Sequence, residues 1–222
     1  MIEVVLDTET TGLSASEGHR IVEIGCIELK DLIPTNNKFH CYLNPERKVS
    51  EEAFKVHGYT DDFLSKQKKF SQIADDFLKF IKGKRLVIHN AEFDVSHLNN
   101  ELNILGKNKI NHEIIDTLQI AREKFPGSSI SLDALCKRYN IDNSRREKHN
   151  AVIDCELLSK VYINLLDQRE PTFELSEEKD FNIELDYNNK VQYFNKIVKP
   201  SNEELKLHKD FLKREIKKNH FN

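Results

Sequence analysis

No stretch of this 222-residue chain approaches the roughly 18 consecutive apolar residues of a membrane helix, so a membrane-spanning protein is not expected. Nor does it open on a signal-peptide pattern: Met-Ile-Glu-Val-Val runs directly into a strand, and a cytoplasmic protein is expected. The four cysteines, Cys26, Cys41, Cys136 and Cys155, form no Cys-x-x-Cys pair and stand among apolar residues, which predicts reduced, buried thiols in place of a zinc site or a disulfide framework. A basic surplus is also missing, because 34 Lys and Arg face 37 Asp and Glu for a net charge of -3. Phosphate neutralisation dominates non-specific DNA affinity, so such a chain is not expected to grip DNA tightly without a partner. No internal repeat is present.

Against these absences stands a concentration of acid. Ile-Glu-Val-Val-Leu-Asp-Thr-Glu-Thr-Thr-Gly, residues 2 to 12, reads as a buried strand ending in Asp7 and Glu9. Side chains i and i+2 leave one face of a strand, so the two carboxylates converge. Held together they repel, and a hard divalent cation bound through oxygen is the usual relief. Two solvated acids at a strand end would look the same, so the decision lies elsewhere in the chain.

His-Asn-Ala-Glu-Phe-Asp, residues 89 to 94, follows a second apolar strand and opens a helical pattern through Val95, Leu98 and Leu102, which puts Asp94 in a first helical turn. The helix dipole alone favours an acid there. His149-Asn-Ala-Val-Ile-Asp154 runs into Cys155, Leu158, Val161, Tyr162 and Leu165 at helical spacing. Five residues apart, His149 and Asp154 would sit on different faces of one continuous helix, so His149 is expected on the preceding loop or first turn. Relief of acid crowding predicts a slightly stabler metal-free protein when Asp7 or Asp154 is removed.

Four acids and one histidine in this order and context resemble the Asp-Glu-Asp-Asp exonuclease family, in the branch whose last motif carries histidine. Within it the chain is similar to the proofreading epsilon subunits of bacterial DNA polymerase III, through Val-Leu-Asp-Thr-Glu-Thr-Thr-Gly (5 to 12), Glu-Ala-Phe-Lys-Val-His-Gly (52 to 58) and Ser-Leu-Asp-Ala-Leu-Cys (131 to 136). The resemblance implies 3′–5′ hydrolysis with Asp7, Glu9, Asp94 and Asp154 holding two Mg2+ or Mn2+ ions and His149 as general base. It further implies that Thr10, Leu13, Ala53, Val56, His57 and Phe93 surround the terminal nucleotide of a single-stranded or frayed 3′ DNA end. Each of these six also has an ordinary packing role open to it. The remaining histidines, His19, His40, His97, His112, His208 and His220, are read as structural or surface residues, with His89 positioning the second motif.

Strands are expected at 2 to 7, 20 to 29, 37 to 43, 85 to 89 and 112 to 116, with Pro34, Asn36 and Asn37 marking the turn between the second and third. Helices are expected near 50 to 57, 70 to 82, 92 to 105, 131 to 139 and 150 to 166. Three strands followed by alternating helices and strands predict an α/β fold with a mixed sheet covered by helices, and the resemblance implies the ribonuclease H-like form. Residues 1 to 167 form the expected exonuclease domain. Residues 168 to 190 read as a linker, being acidic, weakly patterned and interrupted by Pro171.

Residues 191 to 222 read as a flexible tail with a helix capped by Ser201, whose Leu205, Phe211, Leu212 and Ile216 are candidates to dock on the polymerase alpha subunit. Gln168 and Phe173 match the ends of a clamp-binding hexapeptide, although Pro171 takes its central hydrophobic place. Of the basic residues, Arg145, Arg146 and Lys148 abut His149 and are candidates to hold a phosphate. Three readings follow: a proofreading DNA exonuclease, an RNA-trimming exonuclease of the same family, and a subunit that serves chiefly to bind the polymerase.

Overall fold

The computed structural model describes residues 1–146, 148–166 and 200–215. The chain divides into two units, Met1–Glu174 and Leu175–Asn222. In the first, five strands, β1 (Ile2–Thr10), β2 (Ile21–Lys30), β3 (Ile33–Tyr42), β4 (Arg85–Ile88) and β5 (Ile114–Asp116), form one sheet in the order β3-β2-β1-β4-β5. β1, β2 and β3 pair antiparallel, while β4 runs parallel to both β1 and β5. This is the mixed five-stranded sheet expected from the sequence.

Alternation along β1 divides the core. Val4 and Leu6 pack on one face with Phe77 and Ile81 of α3 (Phe70–Ile81) and Leu98 and Leu102 of α4 (Ala91–Ile104). Val5 packs on the other face with Leu135 of α6 (Leu132–Arg138) and Leu158, Val161 and Tyr162 of α7 (Ala151–Leu165). A strand covered by helices on both sides reads as an unbroken apolar run, which is why Val4, Val5 and Leu6 can all be fully buried. By the same parity Asp7 and Glu9 continue on the Val5 side, the side of α7.

Three departures have clear causes. The turn between β2 and β3 falls at Asp31 and Leu32, both with positive φ (51° and 66°), as a two-residue hairpin turn requires. Pro34, Asn36 and Asn37 lie inside β3 instead. Pro34 is tolerated because β3 is an edge strand, and the Asn37 amide and Thr35 hydroxyl donate across the hairpin to Glu28 (2.8 and 3.0 Å). Two short helices, α2 (Asp61–Ser65) and α5 (Thr117–Lys124), were not expected. Both are short and capped by their own neighbours, the Thr60 hydroxyl oxygen accepting from Phe63 N and the Asp116 carboxylate from Leu118 N. Cys26, Cys136 and Cys155 are buried free thiols, whereas Cys41 is only half-buried.

The second unit contributes α8 (Asn202–Glu215), started by a reciprocal box in which the Ser201 hydroxyl accepts from Glu204 N and the Glu204 carboxylate accepts from Ser201 N. Leu205 and Leu212, seven residues apart, share one side of this helix, while Leu207 and Phe211, four apart, share another. The linker, the clamp-like Gln168 to Phe173 segment and Ile216 lie outside the described residues. Among the described residues no helix is long and apolar enough to cross a membrane.

Gly25 of β2 sets how closely α7 approaches the sheet: a Cβ there would lie 2.5 Å from the Ala151 carbonyl carbon and 2.6 Å from its oxygen. Backbone cannot rotate away from such a contact. Gly25→Ala should therefore displace the start of α7 and cost about 1 to 3 kcal/mol of stability, read from urea unfolding of the full-length protein. An unchanged midpoint would show that the helix start has slack.

Candidate active site

The C-terminal end of β1 supplies the first two acids. Between them Thr8 donates its amide (2.9 Å) and hydroxyl (2.7 Å) to one Asp94 oxygen, which locks the first turn of α4 onto the strand. α4 is aimed by Asp116, whose carboxylate accepts from Asn90 N (3.1 Å) and Ala91 N (3.2 Å), while Asn90 takes the left-handed conformation (φ 69°). At the far end of the same helix Glu101 accepts two hydrogen bonds from Arg20 (2.6 and 2.7 Å), tying α4 to the start of β2. Asp154 enters from the first turn of α7, capped by Asn150.

Asp7, Glu9, Asp94, Asp154 and His149 line one cavity of about 550 Å³, together with Arg146 and His89. His149 stands on the loop before α7, as expected, with its backbone amide donating to Val56 O (3.2 Å). Thr10, Leu13, Ala53, Val56, His57 and Phe93 line an adjoining lobe of about 360 Å³ that shares Thr8, Glu9, Val56 and Phe93 with the first. Leu13 (85% exposed) and Val56 (42%) are open to solvent at its edge. Apolar side chains exposed beside a cluster of acids mark a groove for a ligand that is partly apolar and partly charged.

Burial and mutual repulsion raise the acids' pKa values. Asp7 stands well above the usual carboxylate range, through burial first and then the charges of Asp94, Glu9 and Asp154. Glu9 is pushed up to about 9 by burial, with Asp154 and Glu23 adding to it. Burial lifts Asp94 to about 7 against the opposing hydrogen bonds from Thr8. Oxygen donors crowded in this way are the ligand set of a hard divalent cation, and atoms of Glu9, His149 and Asp154 lie within 4.8 Å of one another. The residues fit such an ion.

Arg146 complicates the acid cluster. Its guanidinium donates to both Asp154 oxygens (2.5 and 2.8 Å), to Asp133 (2.8 Å) and to His149 Nδ1 (2.9 Å), and its side chain is only 7% exposed. The three basic residues near His149 do not form one patch, because Arg145 pairs with Glu156 and Lys148 donates to Lys55 O. Arginine has no acceptor, so His149 Nδ1 must accept from it. Burial and then Arg146 lower the His149 pKa, favouring the neutral ring.

Sequence reasoning missed the supports of this site. Glu23, Arg20, Glu101 and Asp116 belong to no motif, and the available signal was an acid inside an apolar run, as in Ile-Val-Glu-Ile-Gly. His19 and His40 are also nearer the site than expected. His19 lines the second lobe, and His40 donates to Glu23.

A family model described as Exonuclease matches residues 4–162. The DNA polymerase III subunit epsilon of Rickettsia conorii is 46% identical over 222 residues, covering 97% of this chain and 96% of the relative. Among solved structures, exonuclease X in complex with 5′ overhanging duplex DNA is similar over 76% of this chain and 93% of its own, with a TM-score of 0.60 and 24% identity. The nuclease domain of 3′hExo, a DEDDh family member bound to rAMP, gives 0.65 at 17% identity over 75% of this chain and 92% of its own. The chain belongs to the exonuclease family and, within it, to the DNA polymerase III epsilon subunits.

Proposed function

We propose that this protein is the proofreading 3′–5′ exonuclease of a replicative DNA polymerase, removing 3′-terminal nucleotides as nucleoside 5′-monophosphates in the cytoplasm. The observation that carries the reading is the convergence of Asp7, Glu9, Asp94, Asp154 and His149 in one cavity that opens onto an apolar lobe. Likeness to an epsilon subunit along nearly the whole chain, tail included, speaks for this reading over RNA trimming or a purely binding subunit.

The four carboxylates would hold two Mg2+ or Mn2+ ions, which when bound supply an activated water and neutralise charge on the leaving 3′ oxygen. Leu13, Ala53, Val56, His57 and Phe93 would bind the terminal nucleoside through apolar contact and stacking, with Thr10 offering a hydroxyl at the lobe. Such contacts accept any base, so selection falls to how readily the end frays. His149 would take the proton of the attacking water. For that, Arg146 must leave Nδ1, and its present hold on both Asp154 oxygens means that the same movement exposes Asp154 as a ligand. Freed, its guanidinium stays in the cavity as a partner for phosphate.

The acids are therefore unequal in the metal-free protein. Asp7→Asn removes a repelled charge and should stabilise the protein in EDTA by about 0.5 to 2 kcal/mol. Asp154→Asn leaves the buried Arg146, among the described residues, with the exposed Asp133 and the neutral His149 ring, and should destabilise by about 3 kcal/mol, against the relief expected from crowding alone. Both should abolish Mg2+-dependent digestion. Thermal melts in EDTA with 3′-end digestion assays would check this, and shifts of the same sign in both variants would contradict the assignment of Arg146.

Residues 1 to 167 form the nuclease in this reading, 168 to 190 a linker, and 191 to 222 the polymerase-binding tail, with Leu205, Phe211, Leu212 and Ile216 as contacts to the alpha subunit. The clamp remains a further proposed partner through Gln168 and Phe173. A fragment of residues 1 to 167 should digest free single-stranded DNA like the full chain yet fail to co-purify with the alpha subunit. Leu212→Asp in the full chain should cost binding by about tenfold or more without changing digestion of free DNA. Loss of activity on free DNA in the fragment would place part of the tail in the nuclease.

A further inference from the structure

We propose that Glu23 is a positioning residue for the hydrolysis, fixing where His149 stands and coupling that loop to the nucleotide-binding wall. This rests on His149 acting as the base. Glu23 is wholly buried in β2, directly across from Glu9. One of its oxygens accepts from His40 Nε2 (2.7 Å) and Asn150 Nδ2 (2.9 Å), and the other accepts from the Tyr59 hydroxyl (2.7 Å) and Ala151 N (3.1 Å). The four donors come from β3, the segment after α1 (Glu51–His57), and the capping residue and first residue of α7.

His149 immediately precedes Asn150. Its own amide is held by Val56 of α1, and the chain on its other side is held by Glu23. Tyr59 extends the link to the wall, since its ring stacks on His57 (centroids 4.8 Å apart, 23° between planes) and its amide donates to His57 Nδ1 (3.0 Å). Asp154 shares one of these ties, its amide donating to the Asn150 carbonyl (2.9 Å), but has further anchors of its own. The next residue, Cys155, reaches the carbonyls of Val5 and Gly25, and Leu158 is buried in the core. Loosening Glu23 should therefore move His149 more than the carboxylate.

Only a carboxylate serves here. A glutamine would set its NH2 against either the Ala151 amide or the Asn150 amide nitrogen. The first is fixed backbone. The second cannot flip, because Asn150 Oδ1 already accepts from Val152 N (3.2 Å) and Ile153 N (3.1 Å). Glu23→Gln thus keeps the volume and breaks the hold.

The test is a double-mutant cycle in the full-length protein on single-stranded DNA with Mg2+. His149→Ala alone should lower kcat by about 10² to 10⁴. A near-normal rate in that variant would remove the base assignment and this proposal with it. Glu23→Gln should lower kcat by about tenfold or more, with KM and the Mn2+ affinity measured without DNA within about twofold. Added to His149→Ala, it should cost less than about twofold further. Asn150→Ser, which keeps a helix-capping oxygen but loses the amide that reaches Glu23, should repeat the pattern and serves equally if Glu23→Gln fails to fold. An equal loss in both backgrounds, or lost Mn2+ affinity at unchanged kcat, would overturn the proposal.

Discussion

Like charges brought together out of water are the constraint on which the rest of this structure depends. Asp7, Glu9 and Asp94 are each lifted above the ordinary carboxylate range by burial, and repulsion within the cluster adds to the cost. A fold that carries such a site must hold its acids by something other than their own preferences. Here β1 lies at the centre of the sheet with both faces packed, Thr8 ties Asp94 to it by two hydrogen bonds, and Gly25 admits the start of α7 close enough to deliver Asp154. Among the described residues Arg146 supplies the strong countercharge.

The supports differ in kind. The acids sit on a strand and on two helices whose apolar sides are fully buried, and rigid elements of that sort hold ligands better than loops. His149 and Arg146 sit on the loop before α7, where exchange of partners is easiest. The apolar lobe lies next to these groups, the charged side chains on its lining are the acids Glu9, Glu17 and Glu52, and the chain as a whole is acidic. A net charge of -3 favours the proposed delivery of the enzyme to its substrate by a partner, where tethering would raise the local concentration of the site.

Much of the candidate site was legible because its residues are unusual ones at fixed spacing. Asp7 and Glu9 were readable from strand parity, and His149 was readable as a loop residue from its five-residue offset to Asp154. Most strand positions and the helices with long apolar stripes followed from periodicity, whereas the order of strands in the sheet did not. Short capped helices such as α2 and α5 carry too few turns for a stripe to register. The turn at Asp31 and Leu32 was hidden because nearby Pro34 and Asn36 are stronger turn formers, and only pairing with β2 decides that they belong to an edge strand. Glu23, Glu101 and Arg146 depend on partners 128, 81 and 8 residues away, and pairing at the longer distances leaves no local mark.

If crowding of buried acids is the central feature and divalent ions relieve it, stability must respond to pH in a particular direction. The raised Glu9 pKa contributes stability that is fully present below about 4.5 and lost as pH rises through about 9, and Asp94 loses its share through about 7. Ions bind the deprotonated acids, so their stabilising effect should grow over the same range. The direct measurement is the Tm of the full-length protein from pH 6 to 9, in EDTA and in excess Mg2+. The account predicts a falling curve in EDTA and a gap between the two that widens with pH. Curves that stay parallel, or that coincide, would contradict it.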